Sequence, residues 1–120
     1  MFDFLKRKKR VRARIISTEE FNKEIITGKK DALITFSAAW CGACKMQKPL
    51  IHDLADAHQD KNICIGFVDV DTETQLSQLF NIKGIPTTIA FHNGEIFFRH
   101  SGLLSRKNLE SIIQQLEKTS

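Results

Sequence analysis

The sequence contains little cysteine and no long apolar run. Its 120 residues include three cysteines, one tryptophan and no tyrosine. Three cysteines are too few, and too odd a number, for a secreted fold that is held together by several disulfides. No apolar run approaches the roughly 20 residues that a membrane-spanning helix requires. These absences favour a globular protein that uses its cysteines for metal binding or for redox catalysis.

A secretory signal is also absent. Such a signal places basic residues before an apolar segment, whereas residues 1–5 precede the basic residues here and contain too short an apolar part. We therefore expect a soluble protein that is not exported, with a cytoplasmic location. The length and a hydrophobic content of 42% suffice for one domain with a core of its own.

Positive charge is concentrated at the start of the chain. The net charge is +4, but residues 1–14 alone carry +6, so the remaining residues sum to −2. We expect residues 1–13 to form a basic, flexible arm and residues 14–120 to form the folded domain. A solvated tail is the simplest interpretation of the arm. Its cations in residues 6–14 would also suit weak contact with an anionic membrane surface or with nucleic-acid phosphates.

The apolar pattern predicts an α/β fold with the element order β-α-β-α-β-α-β-β-α. Strands are predicted over residues 13–16, 32–36, 63–70, 87–92 and 96–100. Helices are predicted to begin near Ser17, Cys41, Asp71 and Ser105. Helical crossovers imply parallel strand pairs, and Asn93-Gly94 predicts an antiparallel hairpin. The result is a central mixed sheet of about five strands, flanked on both faces by about four helices.

Residues 40–45, Trp-Cys-Gly-Ala-Cys-Lys, carry the chemistry that the sequence predicts. Two thiols lie where a buried strand ends and a helix begins. The unpaired N–H groups and the dipole of a helix start favour a thiolate over a thiol. The spacing of Cys41 and Cys44 lets the second sulfur reach the first within one helical turn. This arrangement indicates dithiol–disulfide exchange.

A structural zinc site is the alternative role for the cysteine pair. Such a site needs four ligands. The remaining candidates show no second paired spacing; they are Cys64, His52, His58, His92 and His100. We therefore favour redox chemistry, with no bound metal, and we expect Cys64 to be an inert thiol buried in a strand.

The motif at residues 40–45, the Gly84-Ile85-Pro86-Thr87 segment and the element order together resemble the thioredoxin family over residues 13–118. The resemblance implies a thioredoxin-like fold, with Cys41 as the exposed nucleophile and Cys44 as the more buried resolving thiol. It also implies a cis Pro86 packed against the cysteine pair. The substrate-binding residues that it implies are Trp40, Gly42, Ala43, Gly84, Ile85, Pro86 and Gly102.

The same resemblance implies a protein-disulfide reductase that contributes to cell redox homeostasis. Such a protein binds no cofactor and works through a redox-active Cys41–Cys44 disulfide. Its partners would be disulfide-bearing client proteins and a thioredoxin reductase-like electron donor, so NADPH would act only indirectly, and the protein would be a monomer. A client-specific redox partner and a non-catalytic binding module with this fold are the alternatives.

The chain departs from the family pattern beside the second cysteine. Thr35 stands where the family usually has a buried aspartate, and Phe67 where it has the paired lysine. Losing both together avoids an unpaired buried charge. Ala43 and Ser37 replace a usual proline and tryptophan, which leaves Trp40 as the single tryptophan. We expect the missing acid and lysine to slow the release of mixed disulfides by Cys44 rather than the attack by Cys41, and we expect Ala43 to change the reduction potential.

Overall fold

The computed structural model describes residues 9–119, which form one five-stranded sheet with helices on both faces. The first half comprises β1 (Arg14–Ile15), α1 (Thr18–Phe21), a π-helical continuation (Asn22–Thr27), β2 (Asp31–Ser37) and α2 (Gly42–Ala57). The second half comprises β3 (Ile63–Asp69), α3 (Thr74–Leu79), β4 (Thr87–His92), β5 (Glu95–Ser101) and α4 (Arg106–Lys118).

The strands lie in the order β1-β3-β2-β4-β5. β3 pairs in parallel with both β1 and β2, whereas β4 pairs antiparallel with β2 and β5. The mixed sheet predicted from the sequence is therefore confirmed. Its central strand β2 is buried from Ala32 to Ser37, because α2 and α4 cover one face of the sheet and α1 and α3 cover the other. The sheet thus has an apolar core on each side.

Serine side chains cap the N-termini of two helices, as predicted. Ser17 Oγ accepts from the backbone N–H of Glu20 at 3.1 Å, and the Glu20 carboxylate accepts from the Ser17 N–H at 3.0 Å. Ser105 Oγ accepts from the Asn108 N–H at 3.1 Å. These bonds pair N–H groups that a helix start would otherwise leave free. The predicted Asp71 cap is wrong, because α3 begins at Thr74 with no side-chain cap.

Part of the predicted arm lies against α2. Arg10 forms ion pairs with Asp53 and Asp56, and the Val11 N–H donates to Asp56 Oδ1 at 2.8 Å. The Ala13 N–H donates to Nδ1 of His52 at 3.0 Å. For residues 10–13 these contacts correct the expectation of a free arm, because carboxylates and a histidine on α2 hold the backbone. The prediction for residues 1–8 falls outside the described part of the chain.

Candidate active site

The cysteine pair lies where β2 passes into α2. β2 ends at Ser37, three residues follow, and Cys41 is the N-cap of α2 with extended backbone angles. The Cys44 N–H donates to Cys41 Sγ at 3.2 Å. A helix-start N–H that points at sulfur stabilises negative charge there. The local sequence therefore places an N–H donor from the first turn of α2 against the sulfur of Cys41.

Both cysteines are free thiols, and the second is the more buried. Cys44 is 1% exposed and Cys41 is 7% exposed. The expectation of an openly exposed Cys41 thus needs correction, because the Ile85 carbonyl oxygen lies 3.6 Å from its sulfur. Cys41 is therefore largely shielded from solvent and lies beside the Ile85 backbone.

The loop before β4 faces the cysteine pair. Its Ile85–Pro86 peptide bond is cis, as the resemblance implies. The Gly102 N–H donates to the Pro86 carbonyl at 2.8 Å, and Gly102 has φ +106°, which favours glycine. A Cβ added at Gly42 or Gly84 would meet no atom within 4 Å. These glycines border open space, so the backbone on both sides of the thiols stays accessible.

The thioredoxin family model matches residues 12–115 of this chain, which span both cysteines and the cis-proline loop. The chain belongs to the thioredoxin family. Its fold and its cysteine spacing identify it as a thioredoxin-type disulfide oxidoreductase. The predicted fold class and the predicted exchange chemistry are confirmed by this match.

Individual relatives agree with this membership. The chain is 35% identical over 89 residues to thioredoxin of Alicyclobacillus acidocaldarius, an alignment that covers 74% of this chain and 84% of the relative. It is 34% identical over 102 residues to thioredoxin of Chlamydia caviae, with 85% and 96% covered. The crystal structure of Malassezia sympodialis thioredoxin matches with a TM-score of 0.79 at 30% identity, covering 91% of this chain and 94% of that one.

Trp40 stands at the rim of this thioredoxin site. It is 69% exposed, and its indole N–H donates to Asp71 Oδ2 at 2.9 Å. The hydrogen bond fixes one edge of the ring and leaves most of its apolar surface facing solvent. Sequence reasoning missed the part of Asp71 in the site, since an aspartate before a short helix has the pattern of a cap.

Burial and the hydrogen bond with Cys41 raise the pKa of the Cys44 thiol to about 11. The charge of Lys48 acts in the opposite direction. Thr35 is fully buried, and its hydroxyl oxygen lies 2.9 Å from that of Thr88. β2 and β3 place Thr35 directly beside Phe67. A threonine hydroxyl and a phenyl ring thus occupy the positions where the family has a charged pair, and neither is a base at neutral pH.

Gln47 is a component of the site that the sequence pattern does not reveal. It is fully buried in α2, with its amide Nε2–H donating to the Leu104 carbonyl at 3.0 Å. Its Oε1 accepts from the Leu104 N–H at 2.8 Å. The side chain therefore ties the cysteine-bearing helix to the loop that follows Gly102. A glutamine in an amphipathic helix gives no signal of such a role.

The other cysteine and the remaining polar groups add no second centre. Cys64 is 2% exposed, and burial raises the pKa of its thiol. Across residues 9–119, no group of three or more His, Cys, Asp and Glu side chains is arranged to hold a metal ion. None of the helices in this range is long and apolar enough to cross a membrane.

Proposed function

We propose that this thioredoxin family member reduces disulfides in client proteins and is returned to its dithiol form by a thioredoxin reductase-like donor that draws on NADPH. The observation that carries the proposal is the position of Cys41 at the start of α2, with the Cys44 N–H directed at its sulfur. A thiolate stabilised in this way attacks disulfides. We place the reaction in the cytoplasm, where thiols are kept reduced.

The first step is attack by the Cys41 thiolate on one sulfur of the client disulfide. The client S–S bond breaks as a bond forms between Cys41 and that sulfur, and the other client sulfur leaves as a thiolate. In the second step the Cys44 thiolate attacks Cys41 Sγ. This forms the Cys41–Cys44 disulfide and releases the second client thiolate. Two electrons pass to the client, and the protons of the two cysteines end on its thiols.

We expect the second step, attack by Cys44 on the mixed disulfide, to be the slower one in this protein. A Cys44 thiol with a pKa of about 11 is almost entirely protonated at neutral pH. Thr35, whose hydroxyl is hydrogen-bonded to that of Thr88, stands where the family has the carboxylate. The proton must therefore pass to water or to the departing client thiolate, and we expect release of mixed disulfides to be slow relative to attack.

An extended client segment fits beside the cis-proline loop. The Ile85 backbone supplies hydrogen-bonding groups for an added strand, and Gly102 and Gly84 leave room on either side. Trp40 provides apolar surface at the rim, and Gly42 and Ala43 form the floor between the thiols. Since backbone bonds carry no side-chain preference, this geometry supports a broad client range.

Reduction of insulin disulfides with NADPH and a thioredoxin reductase tests the proposal. We expect turnover by the wild-type protein, none by Cys41→Ser, and an accumulating mixed disulfide with Cys44→Ser. Turnover that survives in Cys41→Ser would contradict the assigned nucleophile. Mass spectrometry of proteins trapped by Cys44→Ser separates a broad reductase from a client-specific partner. Full biological activity of both cysteine variants would instead support a non-catalytic binding module.

The basic arm and the oligomeric state remain predictions. We propose weak contact of residues 6–14 with an anionic membrane or with nucleic acid. Co-sedimentation of the full chain with anionic vesicles or with DNA tests this, and the control replaces the cations of residues 6–9 by serine. Equal sedimentation of the two proteins would leave the arm as a solvated tail. A monomer is expected by light scattering.

A further inference from the structure

A concave basic surface lies beside the redox centre. It consists of two adjoining cavities of about 280 and 420 Å³, which share Arg12, Lys48 and His52. The smaller cavity is also lined by Ala38 and Ala39, the residues that lead into the Trp40–Cys41 segment. The larger cavity includes Lys45, the residue after the resolving cysteine. We call this region the α2 basic surface.

The α2 basic surface carries more positive than negative charge, since Arg10, Arg12, Lys45 and Lys48 line it against Asp53 and Asp69. Arg12, Lys45 and Lys48 are exposed, and none of them has a carboxylate partner within residues 9–119. Burial and the charges of Arg12 and Lys48 lower the pKa of His52, which reflects the positive field in the cavity. This positive surface contrasts with the net charge of residues 15–120 as a whole, which is −2.

The fold holds the surface in place. The Ala13 N–H bonds to His52, and Arg10 bridges to Asp53 and Asp56 on α2. These contacts fix the chain on both sides of Arg12, whose guanidinium lies 2.9 Å from His52 Nε2. Arg12 is therefore held against the cysteine-bearing helix α2 rather than on a free tail.

The geometry points to the α2 basic surface as a docking site for acidic segments that flank the disulfide of a client protein. The inference rests on the proposed reductase function and names a preferred class of client. Complementary charge steers encounter and favours one orientation of the partner. A protein client fits better than a bilayer, because the positive groups line concave cavities that a protruding peptide segment can enter and a flat bilayer surface cannot.

Two synthetic peptides, each closed by one disulfide, test the inference. In the acidic peptide Asp and Glu flank the cysteines. In the neutral peptide Ser and Gln take their places, and the rest of the sequence is the same. We expect kcat/KM for the acidic peptide to exceed that for the neutral one about tenfold at low salt, and the ratio to approach one at about 500 mM NaCl. Both peptides react with the same Cys41 thiol, so the ratio of the two rates cancels any effect of salt on the acidity of that thiol.

A double variant, Arg12→Ser with Lys48→Ser, should reduce this ratio to about two. The matched control removes two exposed cations of α4, Lys107→Ser with Lys118→Ser, and should keep the wild-type ratio. Titration of both peptides into Cys41→Ser, followed by Trp40 fluorescence, measures the same preference without exchange. Failure of exchange would thus count against the reductase function and still leave the docking preference measured.

Equal rates and equal affinities for the two peptides at low salt would overturn the inference. An identical loss of preference in the α4 control would overturn it too, since net charge alone would then explain the effect. Sedimentation with phosphatidylserine vesicles that depends on Arg12 and Lys48, together with equal peptide rates, would assign the surface to lipid instead.

Discussion

Replacing Gln47 by leucine isolates the contribution of one buried side chain to client binding. The substitution keeps a similar volume in α2 but removes both hydrogen bonds to the Leu104 backbone, at 3.0 and 2.8 Å. Leu104 is 5% exposed, so its N–H and C=O would be left largely without partners. Each such group costs about 1–3 kcal/mol, and we expect the free energy of unfolding to fall by about 3 kcal/mol.

The same change should weaken client binding selectively. The Leu104 backbone anchors the loop after Gly102, so loosening it should raise KM for insulin several-fold while kcat changes little. Reduction of a small reactive disulfide such as 5,5′-dithiobis(2-nitrobenzoic acid) does not use the groove and should be unaffected. Steady-state kinetics with both substrates, and urea unfolding monitored by Trp40 fluorescence, measure the two effects.

Gln115→Leu is the matched control for this prediction. Gln115 is exposed on α4, and its amide bonds only to Ser111 within the same helix, at 3.3 Å. We expect a change in the unfolding free energy within about 0.5 kcal/mol. If Gln47→Leu proves as stable as this control and keeps the wild-type KM for insulin, the assigned role of Gln47 is refuted.

Three further predictions concern the thiols and the rim. Because burial raises the pKa of Cys44 to about 11, only the rare thiolate reacts, and mixed-disulfide release should quicken about tenfold per pH unit between pH 7 and 9 in stopped-flow traces; a flat profile would contradict this. Thr35→Asp should lower the unfolding free energy by about 3 kcal/mol, since no cation lies opposite, and should speed release; an unchanged release rate would show that the missing acid is not the cause. Asp71→Ala, which removes the acceptor of the 2.9 Å hydrogen bond, should alter the fluorescence of Trp40 and raise KM for insulin, with attack on small disulfides unchanged; identical emission spectra and an unchanged KM would argue against a functional role for that bond.

Local patterns were sufficient to predict the strands, the serine caps of two helices and the thiol pair, but not the start of α3. Ser17 and Ser105 cap helices because side chain and backbone lie three residues apart, a spacing that the sequence displays directly. The apolar run in β2 likewise reflects burial on both faces of the sheet.

Contacts between distant residues could not be predicted in this way. Gln47 and Leu104 lie 57 positions apart, and Trp40 and Asp71 lie 31 apart. Arg10 reaches Asp53 over 43 positions, and such ion pairs follow from how elements pack rather than from any periodicity. The covering of Cys41 by the Ile85 carbonyl has the same origin, since it depends on the meeting of α2 with a loop far along the chain.

The burial of Cys41 should make this protein selective for the shape of the segment that carries a client disulfide. Because Cys41 is only 7% exposed beside the Ile85 backbone, we expect that a cystine set flush in a rigid surface cannot bring its sulfur into line for attack. A cystine on a protruding or locally unfolded loop can. Folded proteins with recessed structural disulfides should therefore escape reduction, whereas the same proteins become substrates once the segment around the disulfide opens.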